Sequence, residues 1–366
     1  MFRVLQVIGK MDRAGAETMI MNLYRNIDKS KIQFDFMVFS EEEGDYDQEI
    51  ITNGGKIYRM PVFKGYNYFS LYRKFLEFFK EHKYPIVHGH MGSLAPAYLK
   101  CAKKAGAYTI AHSHGPNSNV LSERIVYGIL SYAVRYVADY FYACSKESGV
   151  DRFGKKVVNS SRFKVLSNAI PTEEYRFTKE RQDKLKEKFG LTNRVVIGHV
   201  GRFVASKNHK FMIEVCEEMC KTCPEVMFVF VGMGKEKNII EDMVTEKQLH
   251  DYVNFMGVRS DIPDMMNLFD GFIFPSIYEG LGIVGIEAQA AGLPCFFSDA
   301  IPQEAIVTQN VWQYSLELGA KQWKDNILNV LEQYIRKDAY QEVVKSGFDI
   351  LQTTKDLEKF YEEHLI

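Results

Sequence analysis

With 366 residues, 46% hydrophobic side chains and 13% aromatics, the chain can fill two packed cores of roughly 150–200 residues each, which excludes a disordered or fibrous protein. Six scattered cysteines are too few for a disulfide scaffold. The formal net charge of −1 hides an asymmetry. Residues 1–170 carry 24 Lys and Arg against 16 Asp and Glu, whereas the remainder carries 22 against 31. The lysines are dispersed and no recognition motif appears, so nucleic acid is not an expected partner. The start lacks a basic region followed by a long apolar one, and no apolar run approaches the ~18–20 residues that span a bilayer. The expectation is a cytoplasmic protein, soluble or at the inner face of the cell membrane.

The first strand-like run, "RVLQVIG", leads into "GKMDRAGAETMI", where Gly15 and Ala16 open a helix. Their unpaired amides can bind an anion through backbone geometry and helix dipole, or simply make a strand-to-helix turn. Asp45 and Asp47 in "EEEGDYDQEI" spell D-x-D, but they lie in an acidic run that reads as a solvated loop. "YFSLYRKFLEFFKEHK" is an amphipathic helix, packed on its own sheet or docked on an anionic membrane. Two H-x-H pairs follow, His88 with His90 and His112 with His114, each at a strand end. Residues i and i+2 share a strand face, so four imidazoles could ligate zinc.

After "TKERQDKLKEKFGL" the pattern restarts near residue 190 with "VVIGHVG", "VMFVFVG", "VNFMG", "GFIFPS" and "PCFFSD", separated by helices. Strands alternating with helices imply right-handed βαβ units, hence two doubly wound parallel sheets. Ligands of such sheets sit at the carboxyl ends of the strands. "GHVGRFVASKNH" puts Arg202 and Lys207 beyond a strand end, within reach of a diphosphate or as ordinary surface cations. Cys216, Cys220 and Cys223 match C-x3-C-x2-C but ride a helix that ends at Pro224, so they read as small buried side chains.

"YEGLGIVGIEAQAAGLP" is the richest stretch. The amides of Leu281, Gly282 and Ile283 should leave a helix N-terminus, with Glu279 in the turn before it. Glu287 lies two turns into an apolar helix, where a lone carboxylate is costly. Hydroxyl donors of a ligand, or a buried structural partner, would meet that cost.

Together, "AGAE", "GRFVASK", "KVLSNAIP", "VNFMGVRSDIPDMMNLFDGFIFPS" and the E-x7-E pair Glu279/Glu287 resemble the GT-B retaining glycosyltransferases of family 4, bacterial capsule and exopolysaccharide types above all. The resemblance implies an α/β protein of two Rossmann-like domains facing a central cleft: 1–170 on the acceptor side, 171–345 for the nucleotide-sugar donor, and a helix in 346–366 packing back on the first. It implies transfer from a nucleoside-diphosphate sugar, UDP-linked, to a saccharide or lipid-linked saccharide, with no metal or other cofactor. By the same resemblance Glu287 binds the ribose hydroxyls and the Val258–Arg259 turn frames the base. Arg202 and Lys207 neutralise the diphosphate, with the Leu281, Gly282 and Ile283 amides and the Gly15–Ala16 loop. Glu279 lies near the donor sugar and His112 near its anomeric carbon. Ala14 stands where the family has a second glycine. The residues by themselves leave open a sugar-nucleotide epimerase or hydrolase on the same scaffold, or a metal-dependent hydrolase built on the H-x-H pairs.

Overall fold

The computed structural model describes residues 1–114 and 132–365. The chain divides into two compact units. Unit 1 comprises Met1–Ala169 together with Ile350–Ile366, and unit 2 is Ile170–Asp349. The divisions fall at 169/170 and 349/350 because Ile170 bridges Asp349 and donates its N–H to the Phe348 carbonyl, closing unit 2 on itself.

Unit 1 holds seven parallel strands: β1 (Phe2–Ile8), β2 (Ile32–Val38), β3 (Ile57–Arg59), β4 (Ile86–Gly89), β5 (Tyr108–Ser113), β6 (Tyr140–Ala143) and β7 (Phe163–Val165). Their order is β3-β2-β1-β4-β5-β6-β7. All seven residues of β2 are buried, as expected of a strand covered on both faces. Asp35 stands in that strand fully buried, yet satisfied by Arg3, the Tyr84 hydroxyl and the Lys56 amide. The helix Tyr68–Glu81 buries Leu71, Phe75, Phe78 and Phe79 in the unit 1 core. The last helix, Ile350–Glu363, packs on the Gly15–Asn26 helix and buries Ile350, Leu357 and Tyr361.

Unit 2 holds six parallel strands: β8 (Val195–Val200), β9 (Val226–Val231), β10 (Val253–Phe255), β11 (Gly271–Phe274), β12 (Cys295–Ser298) and β13 (Val311–Tyr314). Their order is β10-β9-β8-β11-β12-β13. Each unit is thus a Rossmann-like doubly wound sheet. The strand order reverses direction between β1 and β4 in the first sheet and between β8 and β11 in the second. Crevices at such points receive ligands. No helix among the described residues is long and apolar enough to cross a membrane.

Candidate active site

In unit 2 the loops after β8 and β11 meet. The Ile277 amide donates to the Ser206 carbonyl (2.8 Å), and the Asn208 side chain donates to the Pro275 carbonyl (3.2 Å). That stitching brings Lys207 Nζ to 2.6 Å from Glu279 Oε1, with the ammonium also 4.8 Å from the centre of the Phe274 ring. Both side chains are largely withdrawn from water, so removing either one strands the charge of the other. Gly282 then turns the chain into the Ile283–Ala290 helix at φ 76°, and a Cβ there would lie 2.9 Å from Phe274. No side chain caps this helix start, which leaves amides open to an oxyanion. Arg202 is exposed at the end of β8, and its side chain makes no hydrogen bond or ion pair among the described residues.

Glu287 is half-buried, and burial pushes its carboxyl up to about 7. Tyr175 stands beside it, and the interaction raises the phenol's affinity for its proton further above what burial alone would give. The Thr172–Tyr175 turn therefore supplies one hydroxyl neighbour to Glu287 from within the protein. A carboxylate accepts more than one hydrogen bond, so room for ligand hydroxyls remains. Arg259, in the turn expected to frame the base, has a neighbour as its partner. Its guanidinium is bound to Asp261 at 2.8 and 2.6 Å and lies over Phe189, leaving exposed Val258 and the turn's backbone to face outward.

In unit 1, Gly15 begins its helix behind Ala14, with no side-chain cap and open space where a Cβ would point. Glu17 stands in the first turn, its carboxyl raised by burial. The two H-x-H pairs converge at the neighbouring strand ends. His112 and His114 rings lie 4.2 Å apart, His88 and His90 4.5 Å, and His90 and His112 5.2 Å. Burial holds all four imidazoles neutral: His114 falls to about 4, and the others lie well below the ordinary histidine value. Neither His112 nitrogen has a hydrogen-bond partner among the described residues. A cavity of about 180 Å³ opens on His90, His112 and His114.

Nitrogens of His88, His90 and His112 come within 4.8 Å of one another. The His88 ring lies 17° from His112 and 24° from His90, and the His90 ring 40° from His112. The D-x-D carboxylates are structural, since Asp47 is buried against Arg59 and Asp45 accepts the Arg13 amide. The three clustered cysteines are free, with Cys216 and Cys223 buried and Cys220 partly so. Sequence reasoning missed Tyr175, Gln6 and Tyr361. Only Tyr175 had a signal, a buried aromatic in the connecting segment "IPTEEY".

The family models match one unit each. Residues 13–174 match Glycosyltransferase Family 4, and residues 181–346 match Glycosyl transferases group 1. The chain is 33% identical over 308 residues to the protein named glycosyltransferase EpsF of Bacillus subtilis (strain 168), covering 82% of this chain and 80% of that one. It is 25% identical to the UDP-Gal:alpha-D-GlcNAc-diphosphoundecaprenol alpha-1,3-galactosyltransferase of Escherichia coli, over 77% of this chain and 76% of that one. In fold it matches the crystal structure of Anabaena HepE in complex with UDP and glucose, with a TM-score of 0.76, 18% identity, and 99% and 100% of the two chains covered. The protein is a glycosyltransferase. The chain belongs to the GT-B bacterial enzymes of family 4.

Proposed function

We propose that the protein transfers a sugar, with retention and without a metal, from a UDP-sugar to a saccharide or lipid-linked saccharide in capsule or exopolysaccharide synthesis. The observation that carries this reading is the β8/β11 switch point, where the buried Lys207–Glu279 pair adjoins the uncapped helix start at Gly282. Departure of a nucleoside diphosphate develops negative charge. Lys207, Arg202 and the Leu281, Gly282 and Ile283 amides supply the preorganised donors that stabilise it. The Gly15–Ala16 amides are a second anion-binding element, and Glu287 accepts from the ribose. When Lys207 turns to phosphate, Glu279 is released to accept from the donor sugar's hydroxyls. The bond from the anomeric carbon to the diphosphate breaks as the acceptor oxygen attacks from the same face. The departing phosphate oxygen takes the acceptor's proton, and His112 lies beside the anomeric carbon. The choice of UDP rests on the printed names of the E. coli relative and the HepE complex.

A lipid-linked acceptor favours contact with the membrane. Tyr66, Phe69, Arg73, Leu76 and Lys80 form an exposed stripe at helical spacing, opposite the face buried in unit 1. The protein should co-sediment with phosphatidylglycerol vesicles at low salt, and the Phe69→Ala/Tyr66→Ala variant should stay in the supernatant.

The test of the donor site is thermal shift with UDP and UDP-sugars. Stabilisation of the wild type by several degrees, reduced to baseline in Glu287→Ala, is expected. A wild type indifferent to every nucleoside diphosphate would overturn the donor site. Product analysis without acceptor separates transfer from a hydrolase or epimerase, which would still turn over.

A further inference from the structure

Three of the four histidines are wired to the last helix. Tyr361 Oη lies 2.7 Å from His88 Nδ1 and accepts from Gln6 Nε2 at 3.4 Å. Gln6 Oε1 lies 2.8 Å from His90 Nε2, and His90 Nδ1 lies 2.6 Å from His114 Nε2. Tyr361 and Gln6 are both buried to 1% exposure or less. None of these five side chains is charged or dispensable to the chain of bonds.

Counting protons fixes the order. A phenol has one proton to give, a primary amide donates only through nitrogen, and a neutral imidazole has one donor and one acceptor nitrogen. With the Gln6 amide nitrogen on Tyr361, the phenol donates to His88 Nδ1. Gln6 oxygen must then accept from His90 Nε2–H. His90 Nδ1 is left as an acceptor and takes the proton of His114 Nε2–H. His114 Nδ1 ends the chain as a bare lone pair, and it has no partner among the described residues. Rotating the amide by half a turn reverses every bond and puts a proton on His114 Nδ1 instead. The amide as placed, with its nitrogen on Tyr361 and its oxygen on His90, is the first order.

We propose that Tyr361 is a positioning residue for the acceptor. Through Gln6 and His90 it sets which nitrogen of His114 carries the lone pair, and so the polarity of the ring that lines the cavity beside His112. This rests on the transferase reading for its purpose, but the wire can be read without activity. Histidine-selective ¹⁵N NMR of the whole protein distinguishes the two tautomers of each neutral ring. Wild type should show His90 and His114 protonated on Nε2. In Tyr361→Phe the Gln6 amide loses its partner, so both rings should show mixed tautomers. In turnover, Tyr361→Phe should lower kcat or raise the acceptor KM several-fold and leave stabilisation by UDP unchanged. Identical tautomers in the two proteins would overturn the proposal, as would unchanged acceptor kinetics. Absence of UDP stabilisation in both proteins would instead strike the donor-site reading and leave the NMR comparison standing on its own.

Discussion

The two sheets share a topology and differ in the charge gathered past their strand ends. At the end of β4 and β5, unit 1 gathers four buried, neutral imidazoles around a cavity. At the ends of β8 and β11, unit 2 gathers a buried ion pair and an open helix start, and Glu287 stands about one turn along that helix under heavy desolvation. The doubly wound sheet decides where the site lies, and the few residues past each strand end decide its chemistry. A neutral, hydrogen-bonding wall suits sugar hydroxyls. A wall with a cation and free amides suits a diphosphate.

The largest effect that would break this contrast lies in the ion pair. Lys207→Ala should lower transfer by at least ~100-fold, by analogy with loss of a preorganised donor at an oxyanion, and cost about 3 kcal/mol in urea unfolding because Glu279 is left buried and alone. Lys207→Ala/Glu279→Ala should regain most of that stability and none of the rate. Equal stability of single and double variants would show that the pair carries no buried charge.

Glu287 gives the next effect. Its folded carboxyl binds a proton more tightly than an unfolded one, so the folded state holds more protons between pH 4.5 and about 7. Its contribution to stability is therefore lost as pH rises through that window. Glu287→Gln should match wild type at pH 4 and exceed it by up to about 3 kcal/mol at pH 8 in the absence of ligand. The same variant should bind UDP more weakly. Thermal melts across pH check both.

The histidines of unit 1 carry the opposite sign. Being held neutral, they bind fewer protons folded than unfolded below pH 6.5, so their contribution falls as pH drops from 6.5 toward about 4. His112→Gln should flatten that acid limb by up to ~1.4 kcal/mol per pH unit, the slope of one proton. A limb equally steep in the variant would place the titrating groups elsewhere. The smallest effect belongs to Arg259. Its pairing with Asp261 is partly open to water, so Arg259→Ala should cost under ~1 kcal/mol and change UDP affinity less than about threefold.

The sequence made the fold readable because its signals are local. Buried strands such as "IQFDFMV" read as apolar runs, and the glycine-marked turn before "IVGIEAQA" announces a helix start. E-x7-E is local as well. What could not be read depends on contacts between distant residues. The Lys207–Glu279 pair spans 72 positions and exists only because two loops are stitched by backbone hydrogen bonds. The Arg259–Asp261 pair, two residues apart in "VRSD", was visible in principle and shows how an expected ligand residue can be claimed by its neighbour.

Unit 1 is discontinuous: residue 6 and residue 361 share one buried cluster. During synthesis the first 169 residues emerge with a gap where Ile350, Leu357 and Tyr361 will sit. At ~5–20 residues per second, roughly 9–36 s pass before the missing helix follows. The histidine cluster is thus completed last, after the whole of unit 2 has been made. A ribosome that stops early releases a chain whose histidines have never met their tyrosine.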